Sequence, residues 1–198
     1  MLAGEGITAI HHSPQPKTLE TARCLAEHLG VPLLPEPDLR ETAMDVPWLG
    51  TPEFERRVGA YLAGEPDAAF EPYPEAQGRI LACVRGIMAR SPGPAVAIVS
   101  HGRILTTLFS GLCRQRFGAA EWSRLRLPDL VVADLDLGQV VAGPFAGHAV
   151  PDPWGPTGGV ALPAAVSFVP NCGEGQDAGP RSAKARTTID SQGVPLEH

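Results

Sequence analysis

Residues 95–112 read AVAIVSHGRILTTLFSGL, and this stretch decides the fold class. The first part, AVAIVS, is an unbroken apolar run of the kind a strand needs when both faces of its sheet are covered. Then come His101 and Gly102, and after them the period changes. Ile104, Leu105, Leu108, Phe109 and Leu112 recur along one helical stripe. A strand that stops at a glycine and feeds a helix is half of a βαβ unit. In open α/β sheets such turns lie at the carboxyl edge, where ligands bind. The expectation is therefore that His101 stands at that edge, beside N–H groups of the new helix that favour anions.

Working outward toward the amino end, GITAI (residues 6–10) reads as a short strand that stops at His11-His12-Ser13-Pro14. TLETARCLAEHLG then specifies a helix with Leu19, Ala22, Leu25, Ala26 and Leu29 on one face. Gly30 closes it. VPLL (residues 31–34) reads as an edge strand, because Pro32 has no N–H for a central ladder. Two more helices follow, one through Phe54, Val58, Tyr61 and Leu62, the other from about Pro74 through Met88. Toward the carboxyl end, LVVADLDLGQVVAG reads as two antiparallel strands with Asp136-Leu137-Gly138 at the tip.

The whole is an α/β domain: three αβα layers around a mostly parallel, doubly wound sheet, over residues 1–150. Residues 151–198 are rich in proline and glycine and lack the apolar density for a core, so disorder is expected there, with some order around Val160–Val169.

Composition narrows the function. A formal net charge of −6 over 198 residues offers no basic footprint for nucleic acid. No run is long and apolar enough to span a bilayer, and MLAGEGITAIHH lacks the pattern of a secretory signal, which implies a cytoplasmic protein. The four cysteines form no C-x-x-C pair. Three lie in apolar helical patterns, which implies buried free thiols and no metal.

Three separate places combine into one chemistry. Lys17 follows the first strand, Glu71 precedes a helix in FEPYPEAQGRI, and His101 ends the central strand. A cation, a carboxylic acid and a histidine are the groups that phosphoryl chemistry uses. In that scheme Lys17, Ser13 and Gly102 bind phosphate, Glu71 protonates the leaving oxygen, and His101 hydrogen-bonds the phosphate. Taken singly, each has a plainer reading: a solvated lysine, a helix-dipole partner and a cap.

The segment SPQPKTLETARCLAEHLGVPLLPEPDLRE resembles the region after the second strand of the histidine phosphatase superfamily, the phosphoglycerate mutase-like proteins. Its usual run is Ser-Pro, one residue, two basic residues and a Glu-Thr-Ala helix, followed by Leu-x-Glu, here Leu39-Arg40-Glu41. VSHGRILTTLF is similar to the family's second histidine motif, and FEPYPEAQGR resembles the helix start that carries its general-acid carboxylate, here Glu71. The resemblance implies phosphomonoester hydrolysis through a phosphohistidine, on a small phosphorylated substrate, without metal or other cofactor.

The departures carry equal weight. The family opens with a strand ending in Arg-His-Gly, whose histidine is the nucleophile, and this sequence contains no Arg-His-Gly. The clamping arginine becomes Lys17, a point charge without a bidentate fork. His11 and His12 are the available substitutes, but a shifted strand is not expected to give in-line geometry.

That nucleophile strand lies inside the family's sheet, and each buried backbone group left unpaired by its absence costs about 1–3 kcal/mol. The remaining strands close the gap, another chain fills it, or the reading frame begins upstream; the last is preferred. As written, the chain is expected to be inactive. The alternatives are a non-catalytic module that binds phosphate esters or a protein, and a phosphosugar mutase, with a homodimer left open.

Overall fold

The structure is a computed structural model that describes residues 5–47, 49–126, 129–151 and 165–171. Six strands form one sheet: β1 (Ile7–His12), β2 (Leu33–Pro35), β3 (Ala95–His101), β4 (Val131–Asp134), β5 (Gln139–Ala142) and β6 (Ala165–Asn171). Their order across the sheet is β2-β1-β3-β6-β4-β5. The pairings β2–β1, β1–β3 and β3–β6 are parallel, while β6–β4 and β4–β5 are antiparallel. The mostly parallel αβα architecture expected from the sequence is borne out.

The helices are α1 (Pro16–Leu29), α2 (Thr51–Ala63), α3 (Tyr73–Arg90), α4 (Gly102–Leu112) and the single turn α5 (Ala119–Trp122). β3 is buried from end to end, as its sequence demands, and its alternation sorts the layers. Val96 and Ile98 pack into the core made with α3 and α4, whereas Ala97 and Val99 join Ile10 of β1 and Ala22 and Ala26 of α1. Thus α1 covers one face, α3 and α4 the other, and α2 packs against α4 and α5. The helix closed by Gly30 ends as read, with that residue at φ 68°, a left-handed conformation that glycine adopts without a Cβ penalty.

The largest departure from the sequence reading is β6. Its seven residues lie in the segment expected to be without order, yet they form an interior strand. The order expected around Val160–Val169 is present from Ala165 onward; the rest of 152–198 lies outside the described residues. β6 pairs with β3 from Ala95↔Ala165 to His101↔Asn171, and with β4 from Val131↔Phe168 to Asp134↔Ala165.

The expected gap in the sheet is therefore filled, within the described residues, by a segment from the chain's own carboxyl half. Pro170 has no N–H to give to a ladder. The register accommodates it, because pairing with β4 stops at Phe168 and Pro170 has β3 alone beside it.

The cysteine expectation needs one correction. Cys83 and Cys113 are half-buried, but Cys24 on α1 is exposed; all three are free thiols. Burial pushes Cys83 up to about 12 and Cys113 up to about 11, so neither is a thiolate at neutral pH.

At the carboxyl end of the sheet, Tyr61 stacks on Phe70 at 4.8 Å and Arg116 lies 4.0 Å over the Tyr73 ring. Both phenolic oxygens are buried without a partner among the described residues. A buried hydroxyl with no partner is a standing cost. Tyr61→Phe keeps the stacked ring and removes that hydroxyl. It is expected to raise the unfolding free energy by about 1 kcal/mol in urea titrations.

Candidate active site

Two of the sequence-predicted residues meet directly. His101 ends β3 on the α1 side of the sheet, and its Nε2 lies 3.0 Å from Ser13 Oγ, in the turn between β1 and α1. Both are buried. Ser13 is fixed from several directions: its N–H donates to the Val99 carbonyl at 3.0 Å, and its carbonyl accepts from Thr18 Oγ1 at 2.8 Å. Its Oγ also accepts the Gln15 N–H at 3.3 Å. The parallel β1–β3 ladder and the start of α1 thus bring together segments 88 residues apart.

Lys17 lies in the first turn of α1, with Pro16 ahead of it preset for a helix start, and is exposed. Gly102 opens α4. A Cβ there would stand 3.3 Å from Trp122 Nε1, a tight contact that a side chain could make only if the indole shifted by a few tenths of an ångström.

The two histidines that end β1 point to opposite faces. His11 is on the α3 side, where its Nδ1 bonds Glu36 Oε1 at 2.9 Å and Arg90 pairs with the same carboxylate. Burial, outweighing the attraction of Glu36, lowers the His11 pKa. His12 shares the α1 side with His101. Its Nδ1 lies 2.7 Å from the Ser13 carbonyl, which can only accept, so Nδ1 is the donor in this contact.

The cradle expected at the start of α4 is already occupied. Glu41 reaches it across 62 and 63 residues of chain, accepting the N–H of Arg103 at 3.2 Å and of Ile104 at 2.8 Å. It also accepts the N–H and hydroxyl of Thr42. Burial would raise this carboxyl; the Arg103 and His101 charges and the N–H groups of Thr42 and Ile104 hold it below the ordinary range instead. Arg103 is itself buried, 3.8 Å from Glu41, and donates to the Thr42 hydroxyl and carbonyl at 3.2 Å each. Any anion at this edge must therefore be held by side chains and not by those two amides.

Glu71 sits on the far side of the same loop. Its N–H donates to the Ala43 carbonyl at 2.9 Å, and its carboxylate accepts from Ala43 N–H at 3.3 Å, from Arg79 at 2.9 and 2.7 Å, and from Arg40 at 3.2 Å. Burial is the largest single influence and pulls its pKa upward, but the Arg79 fork, Ala43 and Arg40 together outweigh it, and the net shift is down. Its four donors hold Glu71 as an ionised strut across residues 40–43.

Because that pKa is depressed, its stabilising contribution is complete above the ordinary value of 4.5 and is lost as pH falls through the folded value. Glu71→Gln is expected to lower stability at neutral pH and to flatten the acid limb of a stability-against-pH curve. An unchanged acid limb would show that the strut carries no such linkage.

Glu41 and Arg103 were not singled out as site residues from sequence. A signal did exist: α4 begins at His101-Gly102 with no capping hydroxyl and no acid in its first turn. A buried helix start so bare requires a remote acceptor. Among the described residues no group of three or more histidine, cysteine or acidic side chains could hold a metal. No helix among them is long and apolar enough to cross a membrane.

With this geometry in hand the chain's relatives can be placed. The model of the histidine phosphatase superfamily (branch 1) matches residues 1–141, and the chain belongs to that family. Among solved structures it is similar to Bacillus stearothermophilus YhfR, at 25% identity and a TM-score of 0.49, over 58% of this chain and 60% of that one. It is also similar to mycobacterial hydrolase 1, at 23% identity and a TM-score of 0.44, over 62% of this chain and 63% of that one. The chain thus spans about three fifths of the solved relatives it matches. No curated protein matches it.

Proposed function

We propose that this domain binds phosphate monoesters at the carboxyl edge of β1 and β3, and that it does not hydrolyse them through a phosphohistidine. The observation that carries the reading is the 3.0 Å contact between His101 and Ser13. It joins the two segments that resemble the family at one point, with Lys17 on the adjoining helical turn. His101, Ser13 and Lys17 hold the phosphate oxygens, and Gly102 leaves room for them.

Loss of turnover is supported by three further points. The family's nucleophile strand is interior, and the interior strand β6, AVSFVPN, contains neither histidine nor arginine. Glu71, the inherited acid, is held ionised by Arg79 and Arg40, whereas a general acid must carry a proton to give. The thiols of Cys83 and Cys113 are protonated.

One observation favours a second reading, a slow hydrolase: His12 lies on the same side of the sheet as His101, with its Nδ1 turned to the Ser13 carbonyl. The test is p-nitrophenyl phosphate hydrolysis, followed by alkaline quench and intact-mass measurement of any phosphoryl-enzyme. No turnover above a His101→Ala control and no added phosphoryl mass are expected. A phosphoryl adduct abolished by His12→Asn would establish the slow hydrolase instead.

A further inference from the structure

Beside Gly102 the surface opens into a cavity of about 490 Å³, lined by Glu55, Ala119, Ala120, Trp122, Ser123 and Leu125 as well as Gly102. That volume lies in the range of small-molecule sites, about 300–1,000 Å³, and far exceeds what a phosphate group needs. Three features define what would fill it.

The first is Trp122. Its ring is fixed edge-on to Phe54, at 6.1 Å between centroids and 62° between planes. Its Nε1 lies close against Gly102, which places the indole N–H donor beside the cavity. The second is the pair Ala119 and Ala120, whose short side chains leave space in front of the indole. The third is charge. Glu55 is the one ionisable residue in the lining, and no lysine or arginine accompanies it. A second phosphate in this cavity would meet a carboxylate and no counterion.

We infer that the cavity receives the alcohol portion of the bound monoester and selects an aromatic one. The aryl ring lies against Trp122 and Leu125, an ester oxygen accepts the Trp122 N–H, and Glu55 turns away bisphosphates. This inference rests on the proposed phosphate site and names its ligand class. Trp122 and Glu55 then set specificity, while His101, Ser13 and Lys17 set affinity for the phosphate itself.

Calorimetric titrations of the full chain test it with inorganic phosphate, phenyl phosphate, phenol and propane-1,3-diyl bisphosphate as probes. Phenyl phosphate is expected to bind on the order of tenfold more tightly than inorganic phosphate, the scale of a well-made ring contact. Trp122→Leu is expected to bring that ratio close to one, and Trp122→Phe, which keeps a ring without the N–H, to leave it intermediate. Glu55→Gln is expected to raise the affinity for the bisphosphate severalfold.

A ratio of one in the wild type, with phosphate binding intact, overturns the aryl assignment and leaves the phosphate site standing. Absence of phosphate binding, unaltered by His101→Gln, overturns the phosphate site. Phenol bound in a Trp122-dependent way without any phosphate binding overturns the assignment too, since the cavity would then serve another ligand. Should Trp122→Leu fail to fold, the Trp122→Phe and Glu55→Gln ratios decide.

Discussion

A chain ending at Pro151 is expected to lose cooperative folding altogether. β6 makes seven paired positions with β3 and four with β4, and it is the strand that joins the parallel half of the sheet to the antiparallel half. Without it β3, buried throughout, becomes an open edge, and Val131 and Ala133 of β4, both fully buried, lose the partner strand beside them. Each buried backbone group left without a partner costs about 1–3 kcal/mol. Several such losses exhaust a total stability of about 5–15 kcal/mol. An unpaired apolar edge also templates aggregation. Circular dichroism and size-exclusion chromatography should show a species with no cooperative thermal transition, eluting as aggregate. A shortened chain that melts cooperatively at the full-length midpoint would remove β6 from the interior of the sheet.

The second large effect concerns Glu41. Glu41→Ala leaves the Arg103 guanidinium buried beside an empty space and strips the Arg103 and Ile104 amides of their acceptor. Breaking one side of a buried ion pair costs about 3–5 kcal/mol, and urea titrations are expected to show a loss of that size. The Glu41→Leu/Arg103→Met double variant is expected to recover a large part of it, because apolar side chains of similar volume replace a buried pair at little cost. The pH dependence has a definite sign. Glu41's pKa is depressed in the folded protein, so its contribution is present above the ordinary carboxylate range and lost as pH falls through the folded value. Glu41→Gln removes that acid-side loss. A Glu41→Ala protein as stable as wild type would mean the carboxylate does not cap α4.

These two features were the least legible in the sequence, for physical reasons. Strands and helices with a clean period announced themselves: β3 by its unbroken apolar run, α1 by its stripe and Gly30, and α4 by Ile104 through Leu112. The β4–β5 hairpin did so by valine pairs around Gly138. β6 did not, because Pro170 and the glycine-rich flanks mask a strand whose place is imposed by its neighbours' edges and not by its own pattern. Glu41 was legible as part of a Leu-x-Glu run, but its role depends on a contact more than 60 residues away, which local spacing cannot encode. Glu71 was read as a proton donor from its place ahead of a helix. Arg79, two turns further along that helix, reaches back to it and makes it an ionised strut. The residue types of His101 and Ser13 were legible, while their meeting follows only from the parallel β1–β3 ladder.

The claim on which the rest depends is that phosphate binds where His101 meets Ser13. Long-range ¹H–¹⁵N spectra of the imidazole rings, recorded while inorganic phosphate is titrated in, test it most directly. Saturable shifts at the His101 ring nitrogens are predicted, with His11, His28 and His148 unmoved. A silent His101, or shifts confined to His11 on the opposite face of the sheet, would contradict the account.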